Sequence, residues 1–195
     1  MEFQSTVLKR RMIRNFQKDP VPDPDIRRIL ELGIHGPSAG FSQGMSYIVI
    51  KDERTKIAIG GKEEIFPNGM HNYVSYAPVL IVVCVSAEAY HRRYREPDKL
   101  QEDGTEIEWP TPYWFFDAGA ASMIMLLAAV DLGFAAVFSG IPSEEMARFK
   151  KLLNIPEEFH PTGIISLGKP APDVKSPSLK RGRKPLESIV HFERW

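Results

Sequence analysis

Lys9, Arg10, Arg11 and Arg14 place four cations within six positions of a 195-residue chain that balances 25 Lys and Arg against 25 Asp and Glu. A neutral chain has no global field to draw nucleic acid or an anionic membrane, so a basic patch must act locally. Arginine offers a planar fork that matches phosphate oxygens. A spacing of four would put Arg10 and Arg14 on one face of a helix. A second basic group, "LKRGRK" (179–184), stands near the other end. The two clusters would serve one anionic ligand if the fold brings them together; otherwise they are solvated faces or partners of nearby acids.

The stretch "GPSAGFSQG" (36–44) could add to such a site. Its small residues leave backbone N–H groups open, and Ser38 and Ser42 add hydroxyls. Neither a Gly-x4-Gly-Lys loop nor a G-x-G-x-x-G turn is present. His35 is read as a surface loop residue, and His71, His91, His160 and His191 are scattered without metal-ligand spacing. One cysteine, Cys84, excludes an internal disulfide framework, and its setting in "VLIVVCV" reads as a buried, inert thiol. The N-terminus lacks the apolar core of a signal peptide, and the apolar run Ala118–Val130 is shorter than a membrane span. A reducing cytoplasm is the expected setting.

The elements that must position these residues follow from pattern. Residues 1–16 read as a short basic helix and a turn. Pro24 suits the first turn of a helix capped by Asp23, with Ile26, Ile29, Leu30 and Ile34 as its buried stripe. "MSYIVIKD" alternates as a strand, residues 53–76 mix helix and loop, and "PVLIVVCVS" (78–86) reads as a strand covered on both faces. Residues 88–108 are dense in charge and predict an exposed excursion. Tyr90, Tyr94 and Trp109 could make it a lid that sandwiches a planar molecule. "FFDAGAASMIMLLAAVDLG" (115–133) is apolar nearly all round, which predicts a buried helix opened by Asp117 as cap or interface residue, with Met123 and Met125 in the core. "FAAVFSG" and "TGIISLGKP" read as strands, and a helix from Ser143 carries its acids first and its lysines last. The proline-rich end, from residue 171, predicts an arm that packs on something else. Alternating strands and helices give an α/β or α+β chain around one sheet.

Taken in order, "KRRMIRNF", "GIHGPSAGFSQGMSYIVI", "FFDAGAASMIMLLAAVDLGFAAVFSGI" and "LGKPAP" with "RGRKPLESIV" resemble the motifs of the nitroreductase family of flavoenzymes, across nearly the whole chain. The resemblance implies one α+β domain over residues 1–195. It would be a three-layer α/β/α fold with a central mixed, mainly antiparallel sheet, a long buried central helix and a C-terminal arm exchanged in a homodimer. It implies FMN at the subunit interface and NADH or NADPH as donor. Arg10, Arg11, Met12 and Arg14 would meet the FMN phosphate and ribityl chain, with Arg181 and Arg183 from the far end. Pro37, Ser38 and Ala39 would come from the partner subunit, and Phe41 and Gln43 of the same loop would also meet the cofactor. Phe138, Ser139 and Gly140 would lie against the isoalloxazine. No nucleophile or general base is expected, because the flavin carries the chemistry.

The sequence departs from the family pattern at Met12 for serine, Phe41 for asparagine, Gly44 for proline and Met45 for tryptophan. The function implied is FMN-dependent reduction of nitroaromatic, quinone or similar planar acceptors by NAD(P)H, in ping-pong fashion. Two alternatives stand beside it: a flavin store or sensor with little turnover, and an enzyme that fragments flavin like 5,6-dimethylbenzimidazole synthase.

Overall fold

The computed structural model describes residues 2–61 and 72–195. His71 and part of the mixed 53–76 stretch lie outside the described residues.

Helix α1 (Phe3–Lys9) buries only Thr6 and stops where Arg10 turns extended at φ −57° and ψ 124°. The stop corrects the expected helical pairing of Arg10 with Arg14: both lie beyond the helix, on an extended run. Helix α2 (Asp23–Gly33) begins one residue earlier than the Pro24 signal places it. Asp23 is therefore inside the first turn, where its charge suits the helix dipole, and its carboxylate accepts from Lys51 Nζ at 2.6 Å instead of capping the helix. Ile26 and Ile29 are buried, but Ile34 follows the helix and is exposed.

Strand β1 (Met45–Ile50) is followed by α3 (Glu53–Gly60), whose N-cap Asp52 accepts from the Thr55 N–H at 2.8 Å. A short α4 (Tyr73–Tyr76) precedes β2 (Val79–Val85). Helix α5 (Ala87–Tyr94) is capped by Ser86, whose Oγ accepts from the Ala89 N–H at 3.2 Å. Then come α6 (Tyr113–Asp131), β3 (Ala135–Ser139), α7 (Met146–Leu152) and β4 (His160–Gly168). Ser143 opens a 3-10 turn ahead of α7, which has no side-chain cap. The predicted serine cap is thus replaced by a tighter turn. From residue 171 the chain holds only two 3-10 turns, Pro177–Arg181 and Leu186–Ser188.

The sheet order is β1-β2-β4-β3, and every strand pair is antiparallel. The one parallel pairing among the described residues is the isolated bridge between Met12 and Ala136. β2 is buried along its whole length. Successive side chains leave a strand on opposite faces, so Val79, Ile81, Val83 and Val85 enter one core while Leu80, Val82 and Cys84 enter the other. The first core is covered by α2 and α6, the second by Phe16, Ile50, Phe149 and Ile155. This is the expected three-layer α+β arrangement.

α6 corrects one expectation. Its 19 residues are long and apolar enough, by length and composition, to cross a membrane. Asp117, Ala118, Ala121, Ser122, Met125, Leu126, Ala128 and Ala129 are buried within the fold. At Gly33 a Cβ would lie 2.6 Å from Met125 Cγ, so glycine there lets α2 and α6 approach closely. The opposite face, with Tyr113, Phe116 and Met123, is exposed. The helix is apolar all round but buried on one side only.

Candidate functional site

The extended run after α1 is fixed at both ends. Ile13 donates its N–H to Ala136 O at 3.3 Å. Phe16 is 1% exposed and packs over Gly168, where a Cβ would lie 3.1 Å from the Phe16 ring. Beyond β4 the chain returns beside this run. Gln17 N–H donates to Lys169 O at 2.9 Å, Ala171 N–H to Asn15 O at 3.1 Å, and Arg14 N–H to Asp173 Oδ2 at 2.9 Å. The two ends of the chain are thereby zipped together.

Their cations converge. Arg10, Arg11, Arg14 and Arg183 line one cavity of about 470 Å³, with Met12, Lys175, Ser176 and Ser178. The Arg10 Nη1 atom is buried and has no hydrogen-bond partner. A buried, unpaired guanidinium nitrogen is costly and marks a place built for an acceptor. Sequence reading finds the four arginines but misses Lys175 and the two serines. They lie on an irregular tail, so no periodic pattern announces which way they point. Arg181 does not line the cavity; it ends the 3-10 turn Pro177–Arg181 and is exposed.

The 36–44 loop stands elsewhere, on α5 and α6. Asp117 Oδ2 accepts from the Ala39 N–H at 2.9 Å and from the Tyr90 hydroxyl at 2.7 Å. Ser38 Oγ accepts from the Gln43 N–H at 2.8 Å, and Arg93 Nε donates to Gly40 O at 2.9 Å. Asp117 lies in the fifth position of α6, not at its cap, and is buried because it serves this loop. Burial, and then the bond to Asp117, pushes the Tyr90 phenol far above its ordinary range. Pro37, Ser38, Ala39, Phe41 and Gln43 do not line the arginine cavity of their own chain.

The third group lies at the end of β3. Ser139 and Gly140 line a separate cavity of about 340 Å³ with Tyr73, Arg148 and Phe149. Phe138 lies over Gly163, where a Cβ would come within 2.4 Å of its ring. Arg14 of the arginine cavity stands with its guanidinium 5.9 Å from the Tyr73 ring centroid.

The expected excursion is exposed over most of residues 95–105, but its aromatic residues are built into the fold. Tyr90 is wholly buried, and Trp109 packs edge-on against it at 6.2 Å and against Tyr94 at 4.6 Å. Glu106 ties the segment down, facing His91 Nδ1 at 2.6 Å and accepting from Trp109 Nε1 at 2.7 Å and Arg95 Nε at 2.9 Å. Cys84 is buried as expected, and burial raises its thiol pKa to about 11. Among the described residues no group of three His, Cys, Asp or Glu could hold a metal ion.

Residues 7–169 match the profile of the Nitroreductase family. The chain belongs to the nitroreductase family. A relative from Methanothermobacter thermautotrophicus, provisionally named NADH dehydrogenase/NAD(P)H nitroreductase, is 30% identical over 197 residues, spanning 100% of this chain and 88% of its own. The solved structure of NfrA1 from B. megaterium shares this fold, with a TM-score of 0.79 and 22% identity over 100% of this chain and 75% of that one. NADPH:FMN oxidoreductase from Vibrio harveyi, solved with NAD+, gives a TM-score of 0.74 and 25% identity over 99% and 77%. The family match runs from the end of α1 to the residue after β4.

Proposed function

We propose that this member of the nitroreductase family is an FMN-dependent NAD(P)H oxidoreductase that reduces nitroaromatic, quinone or similar planar acceptors as a homodimer. The observation that carries the reading is the cavity of Arg10, Arg11, Arg14 and Arg183, with Arg10 Nη1 buried and unpaired. That donor set fits a flavin phosphate, because guanidinium forks match its oxygens and the buried nitrogen gains the acceptor it lacks. The V. harveyi relative's name, NADPH:FMN oxidoreductase, supports the same cofactor and donor.

Arg10, Arg11 and Arg14 would hold the phosphate and ribityl chain, and Arg183 would add positive charge beside the ring system. Preorganised positive charge favours developing negative charge without reorganisation. Met12 brings no hydroxyl to this place. FMN, when bound, would supply the redox chemistry between nicotinamide and acceptor. The chain's own part is to bind, orient and cover.

The 36–44 loop is rigid but remote from the arginine cavity of its own chain, which fits its supply by the second subunit. The exposed α6 face and the arm support that assembly. Leu179, Leu186, Phe192 and Trp195 are 64% to 102% exposed, an apolar series without a core of its own. Exposed apolar surface of this extent marks an interaction site.

The test is the absorbance spectrum of the purified protein, with any chromophore released by heat and identified, followed by anaerobic titration with NADH and NADPH. Flavin bands, FMN on release and bleaching by a nicotinamide support the reading. Protein that carries no flavin and takes up none overturns it, and bound FMN that no nicotinamide reduces leaves a flavin store.

A further inference from the structure

Past β4 the tail is tied to the opening run at each residue from 169 to 173. Lys169 O accepts from the Gln17 N–H, and Pro170 O from Gln17 Nε2 at 2.9 Å. The Ala171 N–H donates to Asn15 O, and Pro172 O accepts from Asn15 Nδ2 at 2.6 Å. The last tie is the Asp173 carboxylate, which accepts from the Arg14 N–H at 2.9 Å. Among the described residues, every hydrogen bond formed beyond Asp173 stays within the tail. Ser176 Oγ lies 2.6 Å from Ser178 Oγ, and the Leu179 N–H donates to Ser176 O at 3.0 Å. Yet Lys175, Ser176, Ser178 and Arg183, all beyond that last tie, line the arginine cavity.

Asp173 lines the same cavity, a carboxylate in a wall of cations. A negative charge beside a phosphate opposes its binding, so this residue type is unfavourable there unless it serves another purpose. Its bond goes to the backbone of Arg14 and not to a guanidinium, which leaves the arginine forks to an incoming anion. The bond spans 159 residues of sequence and fixes the point from which the lining part of the tail departs.

We propose that Asp173 is a positioning residue for the phosphate of the cofactor. Its bond to the Arg14 N–H sets Lys175, Ser176, Ser178 and Arg183 over the opening arginines, so that the phosphate is met from both ends of the chain. The proposal rests on the flavin reading and deepens it, because it names what orders the tail half of the phosphate site. A segment already held in its bound position gives up less freedom when the ligand arrives, and the difference appears as affinity.

The test titrates the flavin-free full chain with FMN and with riboflavin, which has the same ring system and no phosphate, for the wild type, Asp173→Ala and Asp173→Asn. Alanine removes the acceptor; asparagine keeps an acceptor oxygen and removes the charge. Asp173→Ala is expected to bind FMN roughly 3- to 10-fold more weakly, the size of one hydrogen bond, and riboflavin as the wild type does. Asp173→Asn is expected to bind FMN at least as tightly as the wild type. An unchanged or tighter FMN affinity in Asp173→Ala overturns the proposal, because the residue would then act through its charge alone or not at all. Equal losses for FMN and riboflavin overturn it too, since the bond would then support the fold and not the phosphate. So does Asp173→Asn falling as far as Asp173→Ala. A wild type that binds neither flavin overturns the functional reading and this proposal together; a wild type that binds FMN while Asp173→Ala matches it overturns this proposal alone.

Discussion

The carboxylate of Asp117 accepts a hydrogen bond from the backbone N–H of Ala39 at 2.9 Å, across 78 residues of sequence. The same oxygen accepts from Tyr90, so one buried group fixes a loop and a helix to α6. Asp117→Ala would leave two donors without an acceptor inside the fold. The expected cost is about 3 kcal/mol, or a fall in Tm of about 6–12 °C. Asp117→Asn keeps an acceptor oxygen and should lose about half as much. Thermal melts of the two variants check both values, and a wild-type Tm for Asp117→Ala would show that the bonds add nothing.

Arg10 separates binding from stability. Its unpaired Nη1 costs the empty protein stability, and an arriving phosphate would offset that cost. Arg10→Met should weaken FMN binding about 10- to 100-fold while the flavin-free protein melts no lower than the wild type. Fluorescence titration and a melt of the same sample decide it.

Arg183 lines the cavity with the opening arginines and Arg181 does not. Arg183→Ala should therefore reduce FMN affinity, or lower the flavin potential, more than Arg181→Ala. Equal effects would mean that the arm acts through general charge alone.

Met123 is 43% exposed on the outer face of α6 and Phe116 is 64% exposed. Met123→Glu places a charge within the face read as a subunit contact, where burial without a partner is costly. Sedimentation of the variant should show monomer where the wild type sediments as dimer.

Alkaline stability follows from one buried group, Cys84, and one half-buried group, Tyr47. Burial raises Cys84 to about 11 and Tyr47 to about 12. The folded chain keeps the Cys84 proton where the unfolded chain releases it. The stability this contributes is complete below the ordinary thiol value of 9.0 and is lost as pH rises through about 11. A tenfold difference in proton affinity between the folded and unfolded chain is worth about 1.4 kcal/mol. Urea midpoints should fall from pH 9 upward, and Cys84→Ala should be less stable at pH 7 but show a flatter decline above pH 9.

Much of the frame is legible in the sequence, because hydrophobic period and turn chemistry are local. β2 reads as a strand covered on both faces because all seven of its residues are apolar. The helix ends are less legible. Asp23, Ser143 and Asp117 all have the chemistry of caps, and each is drawn elsewhere: to Lys51, to a 3-10 turn and to the 36–44 loop. Which partner a short polar side chain takes is settled by what folds beside it.

The site divides in the same way. The residues by themselves determined that the chain carries two arginine-bearing clusters, a small-residue loop, an apolar helix and an arm rich in proline. Only the tertiary structure decided that Arg183 joins the opening cluster while Arg181 stays out, because the choice depends on how the tail past β4 pairs with residues 14–17. The tertiary structure alone holds Phe41 at a left-handed φ of 57° and leaves it exposed, since backbone angles answer to the Asp117, Arg93 and Tyr94 contacts around the loop and not to the residue itself. Residue types set which groups are available; long-range contacts, which carry no local pattern, decide where they point.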